Sequence, residues 1–273
     1  MISDRAFLLT ILEQPDELPP RLVYADWLDE HGETARAEFI RLQCAGDNER
    51  RQHGLLHQHG AEWAEPIFRH AYSYRFHRGF IEELTIQARI FLEVGEQLFL
   101  EAPIRRLRLI GAHGLIDRLV QMPELRRVRA LHLTGCAIGD EGVKSLARAS
   151  VLADVHTVRL GANAVTDEGV ARLIEASNFP HLQALVLRDN LIGDQGAQLL
   201  ASARGWPRLQ CLDLSDNLIG EAAVHALAQS PRWRTLQRLD LSHQFKGHNR
   251  APRPRERASS AILAANNNNG RMI

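Results

Sequence analysis

Residues 182–192 read LQALVLRDNLI, and this arrangement of leucines ahead of a single asparagine recurs along the chain. Asn190 has counterparts at Asn163 and Asn217, each 27 residues away, and Cys136 occupies the same position one period earlier. The apolar residue five positions before each of these markers recurs at Leu131, Val158, Leu185 and Leu212. A fixed period of this length predicts a stack of similar structural units, none of which can bury its apolar face alone.

Each unit combines a strand pattern with a helix pattern. The LxL triplet alternates apolar and polar residues, which predicts a short strand that buries its leucines and exposes the residue between them. The GDEG string at residues 139–142 is typical of a helix N-terminus, where acidic side chains complement the positive end of the helix. Apolar positions at the same period then indicate a helix face that packs on the strands, at Leu146, Leu173, Leu200 and Leu227.

The markers at the bend are predicted to be structural. An asparagine there can satisfy backbone groups of the adjacent unit, which would otherwise be buried without hydrogen bonds. A small cysteine with a weak donor is interpreted in the same way. The predicted bend ladder consists of Cys136, Asn163, Asn190 and Asn217.

Three further segments carry the strand pattern without this marker. They are residues 81–86, 104–109 and 236–241, the last of which is followed by Gln244 at the marker position. Seven strands are therefore predicted between Phe80 and Ser242. The pattern LxxLxLxx(N/C)xL resembles the ribonuclease-inhibitor-type leucine-rich-repeat family. That resemblance implies an α/β solenoid shaped as a horseshoe, with a parallel sheet on the concave face and helices on the convex face.

The first 79 residues lack the 27-residue repeat and have a different sequence pattern. Helical patterns cover residues 21–30 and 34–45, and an ion pair of Asp26 with Arg36 or Arg41 is predicted. The strings RLVYADWLDEHG at 21–32, RAEFIRLQ at 36–43 and RGFIEEL at 78–84 resemble the bacterial repeat-companion domain. This resemblance implies a small all-α module that precedes repeats, with no established biochemical activity. The predicted domains are a helical module at 1–79, a leucine-rich-repeat solenoid at 80–243 and a tail at 244–273.

The tail is basic and of low complexity. Its six lysine and arginine residues against Glu256 give it a net charge of +5, so the remainder of this neutral chain carries −5. Proline and charge predict disorder there. Two interpretations stay open: the tail is an interaction arm, or the chain has lost its last repeat.

Composition excludes several classes of protein. With 33 basic and 33 acidic residues, the chain lacks the positive field of a nucleic-acid or membrane-surface binder, so nucleic acid is disfavoured except through the tail. Cys44, Cys136 and Cys211 are too few and scattered for a disulfide framework. No run approaches the roughly 20 apolar residues of a membrane span. A cytoplasmic protein without a membrane association is expected.

The sequence also lacks the motifs of an enzyme. No phosphate-binding glycine string and no nucleophile elbow occurs, so no catalytic residue and no cofactor are predicted. His53, His57 and His59 lie close together, but neighbouring Gly54 and Gly60 and the lack of further ligands favour an ordinary helix and turn. No metal site is predicted.

The strand residues that face solvent are the candidate binding residues. Between the leucines, Arg108, His132 and Arg159 in the early units give way to Asp213 and Asp240 in the late units. With their neighbours, the predicted contact residues are Arg105, Arg108, Arg129, His132, Arg159, Arg188, Asp189, Asp213, Asp216 and Asp240. The concave face is therefore predicted to be positive at one end and negative at the other, although chance variation on a solvated sheet is an equal alternative.

These patterns predict a non-enzymatic module that binds a protein partner through its concave face. Two alternatives remain open. Ran GTPase-activating proteins use a related repeat fold, which makes a GTPase-regulating role an analogy without a transferable catalytic residue. An adaptor, in which a short helical module recruits machinery and the repeats select a client, is the other.

Overall fold

The computed structural model describes residues 4–175, 178–203, 205–230 and 235–244. The predicted disordered tail lies outside these residues from position 245 onward. The chain divides into two units, residues 1–109 and 110–273.

The first unit begins with helices and ends with strands. Its helices are α1 (Asp4–Glu13), α2 (Pro19–Glu30), α3 (Thr34–Ala45), α4 (Glu49–Trp63), α5 (Glu65–Phe68) and α6 (Ala88–Glu101). Its strands are β1 (Ala71–His77), β2 (Phe80–Gln87) and β3 (Arg106–Ile110). Two prolines open α2, where a fixed φ is favourable and a missing N–H costs nothing. The helices α1 to α3 and Phe80 of β2 share one core, made of Ile11, Ala25, Leu28, Ala37, Ile40 and Phe80.

The strands of the first unit follow the order β1-β2-β3, and β1 pairs with β2 antiparallel. Strand β1 was not predicted from the sequence, and its pairing departs from the parallel arrangement expected for β2. The turn between them contains Arg78 and Gly79, both with positive φ. A Cβ atom at Gly79 would lie 2.5 Å from Cγ1 of Ile40 on α3. Glycine is therefore required here for both its backbone conformation and its close packing.

The second unit repeats strand, bend and helix. Its strands are β4 (Ala130–His132), β5 (Thr157–Arg159), β6 (Ala184–Val186), β7 (Cys211–Asp213) and β8 (Arg238–Asp240). Its helices are α7 (Ile116–Leu119), α8 (Gly139–Arg148), α9 (Asp167–Glu175), α10 (Asp194–Ser202) and α11 (Glu221–Ala228), and short 3-10 turns occupy Pro123–Arg127 and Ser150–Leu152. The strands β4 to β8 are parallel and in register, so each residue pairs with the residue one period later.

The core of the second unit lies between its strands and its helices. The central residue of every strand is at most 4% exposed, at Leu131, Val158, Leu185, Leu212 and Leu239. The helix row predicted to pack on the strands is equally buried, at Leu146, Leu173, Leu200 and Leu227. Alternation along each strand therefore places the residues before and after the central one on the opposite, solvent-facing side. The chain thus has an α/β fold that contains a repeat solenoid.

Candidate functional site

An amide ladder at the bend fixes the strands of the second unit in register. The Oδ1 atom of Asn190 accepts hydrogen bonds from the backbone N–H groups of Asn163 and Val165, at 3.0 Å each. Its Nδ2 atom donates to the carbonyl oxygens of Leu160 and Leu187. Each amide therefore completes hydrogen bonds in its own coil and in the preceding one, which removes four orphan polar groups from the core.

The ladder extends in both directions from Asn190. Asn163 accepts from the backbone N–H of Cys136 at 3.0 Å, and Asn217 accepts from that of Ile192 at 3.1 Å. Gln244 makes the equivalent contacts one period later, since its Oε1 accepts from Ile219 and its Nε2 donates to the carbonyl oxygen of Leu214. The structure thus places the predicted ladder residues in one continuous row, and Gln244 performs the same role with a longer side chain.

A second ladder of aspartates runs along the helix N-termini, and the sequence analysis interpreted these residues only as helix-dipole partners. Asp140 accepts from the backbone N–H and the hydroxyl of Thr166, at 2.8 and 2.6 Å. Asp167 and Asp194 accept from Gly193 and Gly220, both at 2.6 Å. Each carboxylate therefore lies in one coil and caps the next. The signal was available in the sequence, because these three aspartates share the period of 27 residues.

The solvent-facing side of the strands carries the predicted charge change. Strand pairing aligns five residues in one row across β4 to β8, in the order His132, Arg159, Val186, Asp213 and Asp240. All five retain partial or full exposure. Because the strands are in register, the charge along this row changes from positive to negative over five neighbouring strands.

A second row lies two residues earlier on the same side of the strands and was not identified from the sequence; its members are exposed or partly exposed except Ala130, which is buried. It consists of Ala130, Thr157, Ala184, Cys211 and Arg238. Four of these side chains are small, so the charged row beside them is accessible to a partner. Burial raises the pKa of the Cys211 thiol, which is therefore protonated at neutral pH. The signal for this row was the strand alternation itself.

Local contacts hold the acidic end of the charged row in place. Oδ1 of Asp240 accepts hydrogen bonds from the backbone and hydroxyl of Ser242, at 3.1 and 2.7 Å, and Asp213 binds Ser215 in the same way. Burial raises the pKa of Asp240, but the bonds from Ser242 and the charge of Arg238 outweigh it, so this pKa lies below its ordinary value. Asp240 therefore stays ionised at neutral pH.

The remaining predicted contact residues near the bend include an ion pair. Nε of Arg188 donates to Asp216 at 2.8 Å, and this arginine side chain is 62% exposed. Asp189 is exposed and has a φ of 56°, as does the equivalent Asp216 at 55°. The structure thus brings Arg188, Asp189 and Asp216 together beside the acidic end of the row.

The basic end of the row is partly neutralised. Arg129 lies 3.4 Å from the Asp154 carboxylate, and Nδ1 of His156 is 2.9 Å from the Asp154 carbonyl oxygen. The His156 ring stacks on that of His181, with centroids 6.0 Å apart. Burial, followed by the charges of Arg129 and His181, lowers the pKa of His156 despite the contacts with Asp154. This imidazole is therefore neutral at pH 7, whereas Arg159, in the row itself, is an exposed arginine.

Two predicted contact residues belong to the first unit, and one of them is not on an exposed surface. Arg108 is exposed on β3, as expected. The Arg105 side chain is 8% exposed and donates to Asp16 at 2.5 Å. The prediction that Arg105 offers its charge to a partner is corrected here, because its guanidinium is consumed by a contact with a residue distant in sequence.

The motifs of the first unit meet around the turn between β1 and β2. Arg21, fully buried, pairs with Glu82 at 2.9 Å and donates to the carbonyl oxygens of Pro15 and Arg78, at 2.6 and 3.0 Å. Arg78 contacts the same Glu82 through two hydrogen bonds of 3.0 and 2.8 Å. Burial lowers the pKa of Arg21, although the charge of Glu82 opposes that shift.

Arg36 is a second buried cation of the first unit. Its guanidinium donates to the Gly79 carbonyl oxygen at 2.6 Å and lies 4.8 Å from the ring centroid of Trp63. Burial lowers its pKa to about 10. The predicted ion pair of Asp26 is formed with Arg41, at 2.7 Å, rather than with Arg36. Arg36 is thus used to close the turn, not to pair with a surface carboxylate.

The described part of the chain offers neither a metal-binding cluster nor a membrane-spanning helix. No cluster of three or more histidine, cysteine, aspartate or glutamate residues there could hold a metal ion. No helix among the described residues is long and apolar enough to cross a membrane.

The in-register strands, the bend amides and the helices that pack on the strands together form a leucine-rich-repeat fold. In agreement, residues 126–147 and 180–201 match the family model described as "Leucine Rich repeat". Both segments begin just before a strand and end in the helix of the same coil. Proteins built from such repeats serve as binding scaffolds for protein partners.

Solved structures with related folds share little sequence with this chain. The C-terminal domain of tropomodulin from Caenorhabditis elegans is 16% identical, with a TM-score of 0.39, and the match covers 49% of this chain and 84% of that one. A TLR13–ssRNA13 complex is 18% identical, with a TM-score of 0.33, and the match covers 56% of this chain and 23% of that one. Neither similarity indicates a function for this chain. No curated protein is significantly similar to this chain in sequence.

Proposed function

We propose that this protein binds another protein through the exposed side of strands β4 to β8, without catalysing a reaction. The observation that carries the proposal is the in-register row from His132 to Asp240, in which the charge changes sign across neighbouring strands. Neighbouring strands lie about 4.8 Å apart, so four intervals span about 19 Å. A partner segment of that length can lie across all five strands.

The chemistry of the row defines the complementary partner. Arg159 favours an acidic group, Val186 in the centre favours an apolar side chain, and Asp213 and Asp240 favour basic groups. Complementary charges orient a partner and accelerate its encounter, while the apolar centre excludes water. The aspartates are held by Ser215 and Ser242, so little side-chain freedom is lost when a partner binds.

The proposed contact residues in the second unit are those near this row. They are Arg129, His132, Arg159, Arg188, Asp189, Asp213, Asp216 and Asp240. The Arg188–Asp216 ion pair is exposed, and we expect it to influence orientation more than affinity because exposed pairs contribute only about 0–1 kcal/mol. Arg108 of the first unit remains a predicted contact residue, whereas Arg105 does not.

Charge reversal with a matched control tests this surface. The full chain, an Arg159→Glu variant and an Arg148→Glu variant are used to capture partners, which are identified and quantified by mass spectrometry. Arg148 is exposed on α8, so its reversal changes net charge equally without touching the row. We expect Arg159→Glu to weaken the affinity for the recovered partner about tenfold, equivalent to about 1.4 kcal/mol. We expect Arg148→Glu to leave that affinity unchanged. Equal loss with both variants would exclude the row as the binding surface.

Salt dependence provides a second readout for the same partner. Exposed charges are screened over about 8 Å at physiological ionic strength, so association with the intact row should slow as salt is added. The Arg159→Glu variant should show a weaker dependence of the association rate on salt. The same dependence in both proteins would contradict electrostatic complementarity even if the partner binds this face.

We also propose that the N-terminal region is a repeat-companion module. Support comes from the contacts that join its motif residues, since Arg36 donates to Gly79 in the turn before β2, and Arg21 and Arg78 both pair with Glu82 on β2. The residues of the motif therefore belong to one packing arrangement. This role is structural, and it leaves the exposed surfaces of α1 and α2 available for another purpose.

A further inference from the structure

The first unit contains an apolar groove between its first two helices. The groove has a volume of about 670 Å³, within the 300–1,000 Å³ typical of ligand pockets. Its lining includes Phe7 and Thr10 from α1, Gln14 and Glu17 from the connection, and Pro20 and Val23 from α2. None of the residues that line it belongs to the strand face proposed above.

The two helices have more apolar surface than their own core uses. Ile11 of α1 and Ala25 and Leu28 of α2 point into the core of the first unit. In contrast, Leu9, Leu18, Leu22 and Val23 are 38–55% exposed. Single exposed apolar residues are ordinary, but Val23 lines the groove together with Phe7, Pro19 and Pro20, and such a group of apolar side chains around a groove is typical of an interaction site.

The groove is held in shape before any partner binds. The Tyr24 hydroxyl on α2 donates to Asp4 at the start of α1, which ties the helices together on one side. On the other side, the buried Arg21 donates to the Pro15 carbonyl oxygen in the connection. Pro19 and Pro20 fix the backbone at the start of α2. A preformed groove requires little ordering on binding, which favours affinity.

We propose that this groove binds one amphipathic helix of a partner protein, which places two or three large apolar side chains in the groove and a lysine or arginine beside Glu17. The shape supports a helix, because Phe7, Thr10 and Gln14 follow helical spacing along one wall and the ridge of a third helix fits between two others. The ten residues of α1 extend about 15 Å, which matches about three turns of the partner.

The charge of the groove supports the basic residue in the partner. Glu17 is the charged side chain among the residues that line the groove, and the other lining residues are apolar or neutral. An exposed carboxylate at the edge of an apolar groove attracts a cation without the cost of deep burial. The groove therefore selects for a helix with a basic residue next to its apolar face.

A peptide library tests the proposal on the full-length chain. Displayed helical 14-residue peptides with randomised surface positions are selected on the wild-type protein and counter-selected on a Val23→Asp variant. Val23 is 55% exposed, so this substitution leaves the fold intact, which unchanged thermal unfolding verifies. The matched control is Leu191→Asp, because Leu191 is 44% exposed in the second unit.

The expected result has two parts. Selected peptides carry apolar residues at i, i+3 or i+4 and i+7 with an adjacent lysine or arginine. By fluorescence anisotropy they bind the Val23→Asp variant at least about tenfold more weakly, and the Leu191→Asp variant within about twofold of wild type. A Glu17→Lys variant should instead select peptides with aspartate or glutamate at the basic position.

Three results would overturn the proposal. Selection of extended proline-rich peptides, or of none that distinguish Val23→Asp from wild type, excludes a helical occupant. A dimer that Val23→Asp dissociates in sedimentation equilibrium makes a second copy the occupant. A synthetic peptide of residues 245–273 that competes for the groove more strongly than the selected helices makes the chain's own tail the occupant.

Discussion

The polar side chains that hold the turn between β1 and β2 in the first unit are charged and form contacts that occur once, as with Arg21, Glu82 and Arg36. The polar side chains that hold the bends of the second unit are neutral amides whose contacts repeat every 27 residues, as with Asn163, Asn190 and Asn217. The first arrangement joins residues distant in the chain around one turn, and the second joins each coil to its neighbour. We expect damage to the first arrangement to affect its whole unit, and damage to the second to remain local.

The largest effect is expected from Glu82→Leu in the first unit. This substitution leaves Arg21 buried without its carboxylate and removes both bonds from Arg78, so the first unit should lose about 3–5 kcal/mol of stability. Hydrogen exchange read by mass spectrometry assigns the loss to one unit. The double variant Arg21→Met/Glu82→Leu should recover much of it. A double variant that is no more stable than Glu82→Leu alone would show that the loss does not come from the unpaired charge of Arg21.

The next effect concerns the amide ladder. Asn190→Ala leaves the N–H groups of Asn163 and Val165 and the carbonyl oxygen of Leu160 without these partners in the core, whereas the Leu187 carbonyl oxygen keeps its bond from Asn217. An unsatisfied buried group costs about 1–3 kcal/mol. Because the surrounding structure relaxes in part, we expect Asn190→Ala to lower the free energy of unfolding by about 2–4 kcal/mol in total. Urea unfolding measures this cost, and hydrogen exchange should increase in the coils on either side of position 190. The control is Asn178→Ala, which removes one bond to the Ala147 carbonyl oxygen and should cost about 1 kcal/mol.

A smaller effect is expected at the aspartate ladder. A Cβ atom at Gly169 would lie 2.3 Å from Oδ1 of Asp140, so Gly169→Ala displaces the carboxylate that caps Thr166. We expect a cost of about 1–2 kcal/mol, as for other overpacked sites. In an Asp140→Ala background the same substitution should cost at least about 0.5 kcal/mol less, because the clash is gone. Additive costs in this double-mutant cycle would show that the carboxylate is not the constraint.

The smallest effect is expected from pH. The pKa of His156 is lowered in the folded state by burial and by Arg129 and His181, so the unfolded chain binds more protons near pH 6.5. Stability in the second unit should therefore fall as the pH is lowered from 8 to 5. His156→Gln keeps a donor for the Asp154 carbonyl oxygen and should reduce this fall. Thermal unfolding between pH 8 and 5 measures this fall in stability. If His156→Gln leaves the slope of stability against pH unchanged, the pH dependence belongs to other groups.

Periodicity made most of the second unit predictable. Leucines at fixed spacing identify strands and helix faces, and the in-register pairing follows because every strand occupies the same position in its period. Gln244 could be assigned to the ladder from its position alone, and it forms the equivalent hydrogen bonds with Ile219 and Leu214.

Contacts between distant residues were not predictable from the same evidence. Arg105 lies in an alternating strand pattern that resembles that of Arg108, yet its charge is neutralised by Asp16, 89 residues earlier in the chain. Strand β1 has mixed polar and aromatic residues with two irregularities in its pairing, so its alternation is weak. The groove between α1 and α2 depends on how two helices pack, and their apolar residues alone do not show which are left outside the core.

The ladder has a consequence for how such a chain can change length. Every amide between Asn163 and Gln244 faces the same set of donors and acceptors in the coil before it. A deletion that removes one whole period, such as residues 164–190, brings Asn163 next to a coil of the same construction, and its carbonyl and N–H partners are replaced one for one. A deletion one residue longer or shorter changes the length of the coil at the junction, so the one-for-one replacement of partners fails at that coil. Gene duplications and losses in whole periods are thus tolerated, and the extent of the exposed strand face can be altered independently of the first unit's motifs.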